Sequence, residues 1–239
     1  MRIWRLLIVL LLAVTVPLQC KADAEAPRYE KVPATQNGIG KAFLGRQIAR
    51  VMSWHSASWL ERPSRASEEQ PELVLAALEL QPGMVVADVG AGSGYYSSRI
   101  AERVGAQGRV YAVDVQRGMI EFLRAEMKKL GVANVKPVLC TATDPRLDAE
   151  SVDLAVMVDV YHEFEYPFEM LSGIVRAVKP GGRVVFVEYR ANDPSVPIKP
   201  EHTMDEAQVR REAAVHPLQW EKTVTDLPRQ IVVVFRKRE

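Results

Sequence analysis

Cysteine is nearly missing from this chain of 239 residues: Cys20 and Cys140 are its only two. Two cysteines cannot build a disulfide framework or a multi-cysteine metal cluster. An excess of one charge is missing as well. The 31 Lys and Arg are matched by 30 Asp and Glu, leaving a formal net charge of +1. No broad field exists to gather a phosphate backbone, so a nucleic-acid partner is not expected. Internal repeats and low-complexity tracts are absent, which argues against a solenoid or a fibrous chain. The apolar run over residues 6–18 is shorter than the roughly 20 residues needed to cross a bilayer. What remains is 48% hydrophobic content, enough for one ordinary domain around a single core.

The first residues read as processing signal rather than fold. Arg2 and Arg5 precede the apolar run, and Ala22-Asp23-Ala24 offers the small residues a signal peptidase reads. Residues 1–24 are therefore expected to be a signal peptide that exports the protein, with membrane anchoring through the same segment as the alternative. Cys20 follows Pro17-Leu18-Gln19, a poor context for lipidation. Residues 25–40 lack periodicity and read as a linker, 41–80 as an N-terminal helical cap, and 81–239 as the core domain. Within the cap, Phe43, Leu44, Ile48, Val51, Met52 and Trp59 recur at helical spacing. Ser67 and Gln70 suggest a capping box before a second helix that Pro82-Gly83 stops.

The most informative stretch is Val85-Val86-Ala87-Asp88-Val89-Gly90-Ala91-Gly92-Ser93-Gly94. Its apolar start reads as a strand buried on both faces. Glycines at alternate positions let the chain turn sharply and let a ligand approach the backbone. A dinucleotide fingerprint would need glycine where Tyr95 stands, and a P-loop would need a lysine that never comes. A second apolar strand ends at Asp114, where a carboxylate can accept from ribose hydroxyls. Strands are expected at 85–89, 110–114, 135–140, 154–159 and 183–189, with helices at 95–104, 117–130 and 168–178 between them. Such alternation implies a parallel sheet. Thr203 and Glu206 suggest another capping box, and two strands at 219–225 and 230–236 close the chain.

The run D-V-G-A-G-S-G, the later V-D-V at 113–115, the segment Ser151 to Asp159 and the turn Lys179-Pro180-Gly181-Gly182 resemble the class I S-adenosylmethionine-dependent methyltransferases. The resemblance covers residues 70–190 best and looks closest to the small-molecule, quinone-biosynthesis group. It implies an α/β, Rossmann-like class I methyltransferase fold: a mostly parallel seven-stranded sheet with an antiparallel C-terminal strand and helices on both faces. It implies S-adenosylmethionine as cofactor. Asp88 would then face the ammonium group. Backbone at Gly90, Ala91, Gly92 and Gly94 would contact the methionine moiety, Asp114 the ribose, and Val115 the adenine face. Thr143 and Asp144 would lie near the adenine amino group, although Cys140 to Asp144 replaces the family's usual Gly-Asp.

The acceptor end should follow the fourth strand, at Asp159-Val160-Tyr161-His162-Glu163-Phe164. His162 suits a general base, Glu163 could orient it, and Asp159 could serve cofactor and chemistry alike. Trp54, His55, Trp59 and Arg62 would shape a small-molecule acceptor pocket together with Tyr161 and His162. Lys199 and His202, in the loop after the fifth strand, could close its other side. Asp159, His162 and Glu163 have no second ligand cluster of suitable spacing, so no metal is expected. The segment lacks the N/D-P-P-Y/F of amino-methylating enzymes acting on bases, and a near absence of cysteine separates it from arsenic methyltransferases. Two other functions share these features: an exported S-adenosylmethionine or nucleoside-binding protein without turnover, and an aminopropyltransferase of the same fold.

Overall fold

The computed structural model describes residues 28–239. The expected signal peptide, with Cys20 and the cleavage point after Ala24, lies outside the described residues. In chain order the elements begin with β1 (Tyr29–Lys31), β2 (Gly38–Phe43) and β3 (Arg46–Ala49), then α1 (Ala57–Leu60), α2 (Arg65–Glu69) and α3 (Pro71–Ala77). The alternating body follows: β4 (Val85–Val89), α4 (Tyr95–Val104), β5 (Arg109–Asp114), α5 (Arg117–Leu130), β6 (Val135–Leu139), β7 (Val152–Val158), α6 (Pro167–Ala177) and β8 (Val178–Tyr189). α7 (Glu206–Ala213), β9 (Leu218–Val224) and β10 (Gln230–Lys237) complete it.

β4 to β10 form one seven-stranded sheet in the order β6-β5-β4-β7-β8-β10-β9. The first five strands in that order are parallel, and β10 inserts antiparallel against β8 and β9. This is the Rossmann-like arrangement that the resemblance implied. The physical reason lies in the strands themselves. Ala87 and Val89 of β4 join Phe186 of β8 in the core on one face, while Val86 joins Val185 and Val187 in the core on the other. Strands that must satisfy helices on both sides read as continuous apolar runs.

The first 40 residues of the described chain depart from the sequence reading. Residues 25–40 are not simply a linker, because β1 and the start of β2 fall there. Residues 41–49 are not helical either: β2 and β3 make a hairpin, and β1 pairs with β2 to give a three-stranded antiparallel sheet. Leu44 and Gly45 sit between the paired Phe43 and Arg46 with φ of 47° and 85°. Two consecutive positive φ values make the tight turn that suits a twisted hairpin. The turn carries Leu-Gly rather than Asn-Gly, so its usual signal is missing. The hairpin docks onto the body through Arg46, whose guanidinium forks onto Glu212 of α7 at 2.6 and 2.8 Å and also donates to the carbonyl of His162 at 3.0 Å.

Neither expected capping box forms. Ser67 lies inside α2, and its hydroxyl donates back to the Ser64 carbonyl at 2.9 Å. α3 instead starts at Pro71 after a left-handed Gln70 (φ 47°). At α7, Asp205 takes the cap by accepting from the Gln208 N–H at 2.7 Å, while Thr203 donates to the Pro200 carbonyl. Asp205 is the last extended residue before the helix, so its side chain reaches the free N–H groups that Thr203 cannot.

Candidate active site

The carboxyl ends of β4 to β8 open into a cavity of about 440 Å³. It lies where β4 has β5 on one side and β7 on the other. The chain's winding reverses at that point, and loops there diverge to leave a crevice.

One wall is the glycine turn. Gly90 adopts φ 76°, and a Cβ on it would stand 2.3 Å from Cγ2 of Val160. The Gly90 and Ala91 N–H groups both donate to the Val113 carbonyl, at 2.8 and 3.0 Å. Asp114 closes the arrangement. Its carboxylate accepts from the Gly92 N–H at 3.2 Å and the Gln116 N–H at 2.8 Å, tying the turn to the start of α5. Burial pushes its pKa up while those N–H donors pull it down. Val115 stands beside it, 43% exposed, on the cavity wall. Gln116 holds the N-terminal segment in place by donating to the Met52 carbonyl and accepting from the Trp54 N–H.

A buried charged group lies deeper. Glu69 is wholly buried and accepts from Arg65 Nε at 2.7 Å, Arg62 Nη2 at 2.6 Å and Tyr189 Oη at 2.8 Å. Arg65, also buried, spans from this carboxylate to the Leu60 carbonyl and reaches the cavity wall. Asp159 faces the same cavity in a left-handed conformation, φ 51°. Its Oδ2 accepts from Gln230 at 2.7 Å, and its Oδ1 is buried without a partner. Burial, then the neighbouring Glu69 carboxylate, push Asp159 well above the usual carboxylate range. Arg65 pulls it back, so a cation and an under-compensated acid sit side by side.

At the far end stands His162, buried on the cavity wall. Its Nδ1 meets Glu188 Oε2 at 2.5 Å, and its Nε2 lies 3.2 Å from Nδ1 of His202. Burial favours the neutral form of both partners, holding His162 down at about 3 and Glu188 up at about 8. An imidazole in that state stays unprotonated at neutral pH. The expected orienting role of Glu163 falls to Glu188. Glu163 instead accepts from the Met52 N–H and lies 3.2 Å from His202 Nδ1.

Of the residues expected at the site, Gly90, Gly92, Asp114, Val115, Asp159, His162, Glu163 and Trp59 reach the cavity wall. Asp88, Ala91, Gly94, Thr143, Asp144, Trp54, His55, Arg62 and Tyr161 do not. Asp88 turns beneath the glycine turn, where the Ser97 hydroxyl donates to it at 2.6 Å. Asp144 accepts from the Arg146 N–H in a local turn, and Cys140, Thr141 and Ala142 line the wall that it and Thr143 were expected to occupy. Tyr161 is buried in the core, edge-on to Phe164 and Phe186. Trp54 stacks on His55 and covers Gly118, and Arg62 lies over Trp59 while pairing with Glu68 and Glu69. Arg65, Glu188 and Tyr189 went unnoticed in the sequence. An acid in the apolar run Val184-Val185-Phe186-Val187-Glu188 is the one sign that could have pointed to Glu188.

Asp88 carries a testable cost. Burial raises its pKa from an ordinary 3.8 to about 6. A carboxyl whose folded pKa is raised binds its proton more tightly in the native state, so stability falls as pH climbs from about 4 to about 6 and then levels. Asp88→Asn keeps an acceptor for Ser97 and removes the buried charge. It is expected to be more stable than wild type at pH 7.5 by up to about 3 kcal/mol, since one pKa unit is about 1.4 kcal/mol, and to match wild type near pH 4. Urea titrations at the two pH values check this.

A family model described as a methyltransferase domain matches residues 80–229, more than half of the chain. The chain belongs to that family. Among curated relatives, the methyltransferase domain is 29% identical over 108 residues to a ubiquinone/menaquinone biosynthesis C-methyltransferase of Idiomarina loihiensis, covering 45% of this chain and 43% of that protein. It is 29% identical over 172 residues to a protein-L-isoaspartate O-methyltransferase of Methanococcus aeolicus, covering 69% and 68%. The chain thus spans less than half of the Idiomarina protein's length. Among solved structures, it is similar to a SAM-dependent methyltransferase from Aquifex aeolicus at 27% identity and TM-score 0.74, covering 78% of this chain and all of the other.

Proposed function

We propose that the protein transfers a methyl group from S-adenosylmethionine to a small-molecule acceptor. One observation carries the reading: a single cavity is lined by Asp114 at one place, Arg65 and Asp159 at another, and His162 at a third. The residues fit the cofactor's parts. Asp114 is a fixed acceptor for ribose hydroxyls, with Val115 offering an apolar surface to adenine. Arg65 and the unpartnered Oδ1 of Asp159 match a zwitterion, a carboxylate and an ammonium respectively. A bound ammonium would give Asp159 the counter-charge that it lacks.

When bound, S-adenosylmethionine supplies a methyl group activated on a sulfonium. The chain's own residues contribute position and dryness. Gly90 and Gly92 bring backbone close to the ligand without a side chain in between. Val51, Met52, Trp59 and Leu60 from the N-terminal segment line the cavity with apolar surface. An in-line displacement gains chiefly from such orientation and desolvation. Similarity to the quinone-biosynthesis enzyme supports a small organic acceptor.

Calorimetric titration with S-adenosylmethionine tests the reading. Asp114→Ala removes a buried carboxylate whose hydrogen bonds are each worth about 1.5–3 kcal/mol, so Kd should rise about 10- to 100-fold. Equal affinity in the variant would overturn the assignment. We also propose export, on the strength of the basic start, the apolar run and Ala22-Asp23-Ala24. Protease added to spheroplasts without lysis, but with the outer layer opened, should digest the domain; protection until lysis would place it inside.

A further inference from the structure

His162, Glu163 and His202 come from two separate segments and meet at one point of the cavity wall. His162 and Glu163 follow β7, while His202 sits in a short 3-10 turn, Pro200–His202, after β8. His162 Nε2 and Glu163 Oε1 each lie 3.2 Å from His202 Nδ1, and the three donor atoms lie within 4.8 Å of one another. The geometry points to a divalent first-row transition-metal site made by His162 Nε2, His202 Nδ1 and Glu163 at the acceptor end of the cavity.

Four observations support the assignment. The donor set, two imidazoles and a carboxylate, suits zinc, iron(II), cobalt(II) and their neighbours. Donors held at about 2.0–2.2 Å from one ion stand roughly 3 Å apart, and His202 Nδ1 already lies at 3.2 Å from each of the other two donors. The outer contacts are those that orient metal ligands: Glu188 holds His162 Nδ1 at 2.5 Å, leaving Nε2 to face the cluster, and the Met52 N–H steers Glu163 at 3.2 Å. Arg46 fixes the His162 backbone by donating to its carbonyl. Hydrogen bonding alone serves the cluster poorly, since His202 Nδ1 has at most one proton to share between two neighbours.

All three residues border the cavity. With only three protein ligands, an ion keeps open positions toward that space, the pattern of reactive rather than purely structural sites. Water or a substrate oxygen is a usual occupant of such an open position. In the methyl-transfer reading, on which this last step rests, the acceptor is then a hydroxylated or enolic molecule whose oxygen binds the ion. An ion held there would stabilise the anionic form of that oxygen and so favour loss of its proton to solvent.

Cobalt(II) alone is the probe. The full chain is dialysed against chelator, freed of it, and titrated with Co²⁺ while its visible absorption is followed, with no methyl donor present. One saturating equivalent is expected, displaced by Zn²⁺. His202→Ala alters a partly exposed loop residue and should leave the far-UV circular dichroism unchanged while weakening Co²⁺ binding at least 10-fold. Glu163→Gln should weaken it as well. Absence of saturable binding, or equal binding by folded His202→Ala, overturns the site. Acetohydroxamate, a two-oxygen ligand, should then shift the cobalt spectrum; no shift would discard the oxygen-acceptor step while leaving the metal site standing. Binding of S-adenosylmethionine, measured separately, decides the methyl-donor reading independently of either result.

Discussion

Gly90→Ala is expected to lose about 2–5 kcal/mol of stability, combining about 1–2 kcal/mol for a left-handed alanine with about 1–3 kcal/mol for overpacking. The Cβ it adds would lie 2.3 Å from Val160 Cγ2 and 2.7 Å from Cγ1. Both elements are anchored, because Gly90 is tied to the Val113 carbonyl and the Asp159 N–H to the Val187 carbonyl. Neither side can retreat without breaking a strand-end hydrogen bond. The cavity should suffer with the fold, since Gly90, Asp159 and Val160 all border it. The companion substitution Val160→Ala removes both methyl groups in the clash, though its own Cβ would remain 2.8 Å away. The double variant should therefore recover part of the overpacking loss and none of the backbone cost. Urea unfolding of the two single variants and the double measures this. Simple additivity of the two losses would mean that Gly90 and Val160 do not meet as described.

The second large effect is at Glu69. Its carboxylate has no exposure and serves Arg65, Arg62 and Tyr189 together. Removing one partner of a buried ion pair leaves the other charge unsolvated, at about 3–5 kcal/mol. Glu69→Ala should lose stability on that scale, because Arg65 is itself buried and cannot turn to water. Replacing both members by apolar groups of similar size tends to restore stability. Arg65→Met with Glu69→Met should thus recover part of that loss, short of the wild-type midpoint because Arg62 and Tyr189 lose their acceptor, yet bind S-adenosylmethionine at least 10-fold more weakly. That split separates the structural role of the pair from Arg65's role as the cation on the cavity wall. If the double variant binds the cofactor as wild type does, Arg65 has no part in the site.

The body of the fold was readable because its strands are buried on both faces. Val85–Val89 and Val152–Val158 are short apolar runs bounded by turn residues, and helical patterns between them require parallel pairing. The glycine turn and the strand end at Asp114 were readable as local patterns, each following directly on a short apolar strand. The N-terminal sheet was not. Phe43 and Ile48 are buried by a hairpin packed against the turns at Tyr161–Glu163 and Pro200–His202, and their spacing mimics a helix over so short a span. The charged half of the site depends on contacts that sequence distance conceals. Glu69 reaches Tyr189 across 120 residues, and His202 reaches His162 across 40. Asp88 and Asp144 show the converse. Each is an acid at or shortly after an expected strand end, yet a hydroxyl of Ser97 and a turn N–H of Arg146 claim them first.

The cavity between the glycine turn and His162 is proposed as the methyl-donor site. A crystal structure of the protein with S-adenosylhomocysteine tests it most directly. Ribose hydroxyls are expected within hydrogen-bonding distance of the Asp114 carboxylate, the amino-acid end between Arg65 and Asp159, and the sulfur on the side toward His162. Density for the ligand elsewhere on the protein, or an orientation that places adenine against His162, would contradict it.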